Sequence, residues 1–310
     1  MESINKALGN VTKRQDFKAR YEKEKRQVLQ DPDVREFIKE HTPYITQELI
    51  DRNLIKLYEF VSQSKRCESC QSLSDCKNLI KGYYPSLLFD GKNIDLLYDI
   101  CPSKQKDDEL RKHRSLIKSI YVPKEILDVK LTDIEIDEPS RFDIIRHIQE
   151  LVKKYGDEDQ PKALFIHGSF GVGKTYILGA IANELADIDV SSMLVYVPEF
   201  LREMKNSIND QSIDKKLDAV KKVPVLMLDD IGAESMSSWI RDEVLGTILQ
   251  HRMLENLPTF FTSNFNFDQL LHHLTYSQRG EAEEVKARRI LERIKYLAKP
   301  VELKGQNRRA

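Results

Sequence analysis

Two stretches of this chain carry side chains whose order suits chemistry on phosphates. Residues 168–175 read Gly-Ser-Phe-Gly-Val-Gly-Lys-Thr, a complete G-x-x-x-x-G-K-[ST] phosphate-binding loop. Gly168, Gly171 and Gly173 let the backbone turn tightly and aim N–H groups at phosphate oxygens. Lys174 brings a cation to the outer phosphates, and Thr175 offers a hydroxyl to Mg²⁺. Ser169, Phe170, Val172 and the following Tyr176 complete the candidate nucleotide contacts. The second stretch, Val223-Pro-Val-Leu-Met-Leu-Asp229-Asp230, reads as a buried strand ending in two carboxylates. Asp229 would help Thr175 hold Mg²⁺, and Asp230 would orient or deprotonate an attacking water. An ordinary Asp-containing turn is the structural alternative.

Two further groups belong to the same chemistry. Thr259-Phe-Phe-Thr-Ser-Asn264 ends in a polar pair, and Asn264 is placed to hold the water or the terminal phosphate. A capping Asn is its bland counterpart. Lys286-Ala-Arg288-Arg289-Ile-Leu-Glu-Arg293-Ile-Lys295 reads as an amphipathic helix with arginines on its polar face. An arginine supplied to a neighbouring subunit can stabilise charge developing on a transferred phosphoryl group.

A third cluster has metal-ligand chemistry. Cys67-x2-Cys70-x5-Cys76-x24-Cys101 are the chain's four cysteines, and all lie in its first third. Four thiolates are enough for a closed tetrahedral Zn²⁺ site, which would be structural and leave no open position. His41 and His113 flank the region, and two buried or oxidised cysteine pairs are the alternative.

The elements that must position these groups follow from periodicity. Ala163–His167 suits a buried strand and residues 176–185 a helix, so phosphate would sit at a helix N-terminus. From 123 onward strand and helix alternate: helix 141–154, strand 193–197, helix 199–208, strand 223–228, helix 237–255, strand 259–263, helix 268–274 and helix 283–298. Such alternation predicts an α/β fold, a parallel sheet sandwiched by helices. Residues 1–62 look helical and charged, with Asp31-Pro32 a helix start. The expected layout is a small helical zinc-binding domain over 1–105, a linker over 106–122 and an ATPase domain over 123–310.

Composition narrows the class. The chain has 310 residues, 40% of them apolar, and a net charge of −1, so no overall field draws it to nucleic acid. Arg202, Lys205, Lys215, Lys216, Lys221 and Lys222 could line a local DNA surface, but they alternate with acids like an ordinary solvated face. No run of about 18 apolar residues appears, and no signal-peptide core, so no membrane span and a cytoplasmic location are expected.

Phosphate loop, paired aspartates, Ser-Asn strand end and late arginine-rich helix together resemble the AAA+ ATPases, most closely the initiator and helicase-loader branch. Val195-Tyr-Val-Pro-Glu-Phe-Leu-Arg-Glu-Met204, Leu226-Met-Leu-Asp-Asp-Ile-Gly-Ala-Glu234 and Tyr276-Ser-Gln-Arg-Gly280 are similar to the bacterial primosomal helicase loaders. The resemblance implies ATP and Mg²⁺ as ligands, Asn264 as first sensor, and Arg293 as a trans-acting finger with Arg288 and Arg289 as rivals. It implies a zinc-binding N-terminal domain that contacts a hexameric replicative DNA helicase. It also implies single-stranded DNA, other primosome proteins and self-association through the ATPase module as partners. Asp-Asp where many relatives have Asp-Glu suggests weak, switch-like ATP hydrolysis in loading the helicase during replication initiation or restart. A transposition-helper ATPase acting on DNA is the alternative, and it lacks such a cysteine module. A small-molecule kinase would need a lid and an acceptor pocket, and a zinc-finger DNA reader would need a different cysteine spacing.

Overall fold

A computed structural model describes residues 19–65, 67, 70, 72–206, 212–234, 237–276 and 282–308. Chain contacts divide it into two compact units, Met1–Leu110 and Arg111–Ala310. Most of the Tyr276–Gly280 motif, residues 277–280, lies outside the described residues.

In the first unit, helix α1 (19–30) is followed by α2 (Pro32–Glu40), α3 (Gln47–Arg52) and α4 (Leu54–Ser62). Asp31 starts α2 by accepting the N–H groups of Asp33 and Val34 at 3.0 and 3.3 Å, and Thr46 accepts that of Leu49 at 3.3 Å. Val28, Val34, Phe37, Leu57 and Phe60 are buried together with Ile94. Ile94 belongs to an element absent from the helical expectation: strands β1 (Tyr83–Phe89) and β2 (Ile94–Ile100) form an antiparallel hairpin. Its turn was legible as Asp90-Gly91 between apolar runs. Asp90 accepts the N–H groups of Lys92 and Asn93 at 2.8 and 2.6 Å, and Gly91 takes φ +90°.

Helix α5 (Pro102–Leu116) buries none of its residues and runs through the division between the units. The stretch read as a linker or an exposed helix thus holds an exposed helix, and then strand β3 (Ile117–Ile120), which already belongs to the sheet of the second unit.

That sheet has six strands: β3, β4 (Ala163–His167), β5 (Ser192–Tyr196), β6 (Val225–Asp229), β7 (Thr259–Ser263) and β8 (Ala298–Glu302). Their spatial order is β3-β5-β6-β7-β4-β8, and every neighbouring pair is parallel. Side chains alternate between two cores. Leu226, Leu228, Phe165 and Phe261 join one, while Val225, Met227, Leu164 and Phe260 join the other. Burial on both faces explains why the four central strands read as unbroken apolar runs.

The two strands missing from the expectation, β3 and β8, are the sheet's edges. Ile-Lys-Ser-Ile and Ala-Lys-Pro-Val-Glu carry the lysines and the proline that edges tolerate and central strands do not. Around the sheet lie α6 (Lys124–Leu127), α7 (Pro139–Lys153), α8 (Lys174–Asp187), α9 (Val197–Asn206), α10 (Ser212–Lys222), α11 (Gly246–Leu254), α12 (Phe267–Thr275) and α13 (Glu284–Leu297). The helix expected over 237–255 enters α11 through a wider π-type turn, Ile240–Leu245.

Candidate functional site

Strands β4, β6 and β7 deliver the predicted groups to one end of the sheet, outside their C-terminal ends, where ligands of open α/β sheets bind. Lys174, the first residue of α8, donates to the carbonyls of Gly168 and Ser169 at 2.9 and 2.8 Å and to Asn264 Oδ1 at 2.6 Å. Asn264 in turn donates through Nδ2 to Asp230 Oδ1 at 2.8 Å. The Asp230 N–H donates to Thr262 Oγ1 at 2.8 Å, and that hydroxyl donates to Asp229 Oδ1 at 2.6 Å. Thr175 Oγ1 lies 3.0 Å from both oxygens of Asp229. The chain of bonds closes on itself, because Thr175 follows Lys174.

This ring holds the polar side chains of the site in place. Asp229 is 3% exposed, and burial pushes its carboxyl above the usual range against the hydrogen bonds of Thr262 and Thr175. A hydroxyl and a carboxylate side by side are the oxygen donors Mg²⁺ takes alongside phosphates and water. Asp230 has φ +60°, and the N–H pointing at Thr262 belongs to that turned backbone. Thr262 was not singled out in the sequence; it sits inside an apolar strand, and only the β6–β7 pairing puts its hydroxyl between the two aspartates.

A cavity of about 670 Å³ opens beside the ring, the size of a nucleotide-class pocket. Phe170, Gly171, Gly173, Lys174, Thr175, Tyr176, Asp229, Asp230 and Asn264 line it, as expected of a phosphate site. Gly168, Ser169 and Val172 support it from behind: two carbonyls hold Lys174, and the Val172 carbonyl accepts Arg141 Nη2 at 2.7 Å. The remaining walls were not predicted. They include Tyr121, Pro123, Ile126, Glu135, Arg141, Tyr196 and Arg308. Arg141 is 3% exposed and has its Nε 2.9 Å from Asp137 Oδ1, a contact that forms an ion pair without hydrogen-bond geometry.

Glu234 follows the aspartate pair. Among the described residues, both its buried carboxylate oxygens have no partner at hydrogen-bond geometry, although the backbone N–H groups of Gly232 and Glu234 itself lie toward them. Burial, with the charge of Asp230 added, pushes its carboxyl up to about 7.

The predicted arginines lie elsewhere. Arg293 donates to the Gly246 carbonyl at 2.8 Å, half-buried, and Arg288 pairs with Glu284 at 2.5 Å. Arg289 is exposed. None of the three lines this chain's cavity. Among the six candidate DNA-binding residues, Arg202 pairs with Glu199, Lys216 with Glu203, and Lys221 and Lys222 with Asp218 at 3.0 and 2.8 Å.

In the first unit the four cysteines are free thiols, Cys67 and Cys101 buried. They are neighbours: burial and then the charges of Cys101, Cys70 and Cys76 push the Cys67 thiol up. The Cys70 N–H bonds to the Cys67 carbonyl at 3.2 Å, the turn expected of Cys-x2-Cys. Backbone N–H groups of Gly82 and Lys104 point at the sulfurs of Cys76 and Cys101 at 3.4 Å. Donor chemistry and N–H support fit a thiolate metal site. Among the described residues, however, no group of three or more His, Cys, Asp or Glu is placed to hold a metal ion as it stands.

An all-parallel sheet with a phosphate loop after β4, paired aspartates ending β6 and an asparagine after β7 defines an AAA+-type P-loop ATPase domain. Comparison with known proteins refines that class. The family description "Primosomal protein DnaI N-terminus" matches residues 1–98, and "Bacterial DnaA ATPase domain" matches residues 144–270. The replicative helicase loader DnaI of Bacillus subtilis (strain 168) is 52% identical over 309 residues, covering 100% of this chain and 99% of that protein. The chain belongs to the DnaI family of replicative helicase loaders. A crystal structure of DnaI shares 56% identity and a TM-score of 0.57, covering 64% of this chain and 99% of its own. A crystal structure of the DnaC helicase loader, at 21% identity and a TM-score of 0.50, covers 59% of this chain and 100% of its own and shares the fold.

Proposed function

We propose that this protein is an ATP-dependent loader that places a hexameric replicative DNA helicase onto single-stranded DNA in the primosome, hydrolysing ATP weakly as a switch. The observation that carries the ATP part is the closed ring Lys174–Asn264–Asp230–Thr262–Asp229–Thr175. The partner part rests on membership in the loader family, which also favours it over a transposition helper.

Lys174 exchanges the loop carbonyls for phosphate oxygens, so ligand binding is felt at Asn264 and through it at Asp230. Thr175 and Asp229 would hold Mg²⁺, which when bound neutralises phosphate charge. Asp230 orients the attacking water with Asn264. Its side chain is one methylene shorter than a glutamate, which sets the base further from the phosphate and suits slow turnover. Arg293, or its rivals Arg288 and Arg289, reaches a neighbouring subunit's nucleotide when the ATPase modules self-associate. Cys67, Cys70, Cys76 and Cys101 would hold a structural Zn²⁺, which would cross-link this small unit. The zinc-bearing unit over 1–105, joined through 106–122 to the ATPase unit over 123–310, grips the helicase. DNA binding is weak, ATP-dependent and salt-sensitive; Arg202, Lys216, Lys221 and Lys222 of α9 and α10 already pair with acids, which weakens it. No helix among the described residues is long and apolar enough to cross a membrane, and a cytoplasmic site of action follows from the proposed role.

Size-exclusion chromatography with light scattering tests the reading. The protein is mixed with the replicative helicase of the same organism, with and without ATP. A stable complex that Lys174→Ala deprives of its nucleotide response supports it, and no complex under any nucleotide condition refutes it.

A further inference from the structure

Residues 303–308 follow the edge strand β8 and turn back across the phosphate loop. The Leu303 N–H bonds to the His167 carbonyl at 2.7 Å, and its side chain is buried in the sheet's core. The Arg308 N–H bonds to the Gly171 carbonyl at 2.9 Å, and the Lys304 N–H reaches Ser140 Oγ at 3.3 Å. The contact is close enough to constrain the loop's own sequence. A Cβ on Gly168 would stand 2.2 Å from the Leu303 carbonyl oxygen, and one on Gly171 would stand 1.8 Å from Asn307 Oδ1. Both glycines have positive φ, +153° and +77°. They therefore answer to two demands at once, the phosphate-binding turn and the segment lying on it.

The segment ends in a cation at the cavity. Arg308 lines the same cavity as Lys174 and Thr175, opposite Glu135. Its Nη1 donates to Glu135 Oε2 at 2.6 Å and its Nη2 to Asp137. Glu135 is about three-quarters exposed and Asp137 about half, whereas the Arg308 side chain is 31% exposed. Ion pairs with such solvated carboxylates contribute little. A guanidinium facing phosphate in a walled cavity makes charge-assisted, forked hydrogen bonds, which are much stronger. Arg141, which holds the Val172 carbonyl and lies by Asp137, is buried and committed to the loop, whereas the partners of Arg308 are two solvated carboxylates.

We propose that residues 303–308 are a working strap of the nucleotide site, and that Arg308 is a nucleotide-binding residue acting in cis. It gives up Glu135 for a phosphate oxygen of a nucleoside di- or triphosphate. This rests on the nucleotide reading of the cavity. No bond is made or broken beyond hydrogen bonds and ion pairs.

The test is a fluorescence titration of the full-length protein with an N-methylanthraniloyl-labelled ATP, alongside thermal unfolding without nucleotide. Lys174→Ala should abolish binding. Arg308→Ala should weaken it about tenfold, or about 1.4 kcal/mol, with little change in Tm. Arg308→Lys should recover part of that loss. Glu135→Gln should leave affinity unchanged or raise it, because it removes a competitor for the guanidinium. If Arg308→Ala binds within twofold of the parent, the proposal falls. It falls equally if Glu135→Gln weakens binding as much as Arg308→Ala, since Arg308 would then only anchor the tail. If the parent binds no nucleotide, or binds as Lys174→Ala does, the nucleotide reading itself is what fails.

Discussion

The two units solve the same problem, holding reactive side chains in place, with different means. The second unit surrounds its site with a six-stranded sheet buried on both faces, and a ring of hydrogen bonds sets each polar group. The first unit has one small core beneath a two-stranded hairpin, and its four thiols lie close to one another as free cysteines. It also leaves Leu79, Ile80, Leu97 and Ile100 exposed. A large core can afford to prebuild a polar site, whereas a small one needs a staple, and a metal is the staple that thiols offer.

The largest expected effect breaks the first unit alone. On the proposal that its thiols hold zinc, chelation, or Cys67→Ser with Cys101→Ser, should unfold it, because metal-binding energy in small zinc domains is folding energy, on the order of 10 kcal/mol. The chain's single tryptophan, Trp239, lies in the second unit and reports on that unit separately. Circular dichroism should lose signal while Trp239 fluorescence and nucleotide binding persist. A protein that carries no zinc by elemental analysis and keeps its full dichroism with chelator would overturn the contrast.

Next in size is Arg252→Ala, which should damage only the second unit. Arg252 is fully buried and spends its guanidinium on Thr259 Oγ1 and on the carbonyls of Lys221, Val223, Pro224 and Pro258, at 2.7 to 3.3 Å. Burial lowers it to about 9, so it remains charged at neutral pH. Its loss takes a hydrogen bond from each of five acceptors, of which the Pro258 carbonyl keeps the Leu226 N–H, and should cost about 3–5 kcal/mol, read as an early Trp239 transition in urea. A shift below about 1 kcal/mol would show that water replaces the guanidinium.

The smallest effect sharpens how the second unit tolerates charge. Glu234 has its carboxyl raised from 4.5 to about 7. Between those values the folded state binds more protons than the unfolded, so stability falls as pH rises through this window and is flat above it. Glu234→Gln should therefore be near neutral at pH 4.5 and stabilising by roughly 2–3 kcal/mol at pH 8. Equal effects at both pH values would mean the carboxylate finds partners that the folded geometry does not show.

Much of the site was legible because its signals are local. A glycine-lysine-threonine turn between an apolar strand and a helix, or two aspartates after an apolar run, specifies its chemistry within a dozen residues. The hairpin has a local signal too, Asp90-Gly91 between apolar runs, which the helical charge pattern before it masks. The edge strands β3 and β8 were not, because edges are polar by necessity and read as loops.

Sequence alone determined the ligand class, the carboxylates, the cysteine cluster and the α/β alternation, since each depends on neighbours along the chain. Tertiary structure alone decided that Thr262 joins Asp229 to Asp230, that Arg141 supports the loop from behind, and that Arg308 meets Glu135 across 173 residues. The reason is strand order: β8 lies beside β4, so the segment after the last strand lands on the loop after β4. Contacts between residues so far apart are set by how the sheet is threaded, and no spacing in the chain encodes that.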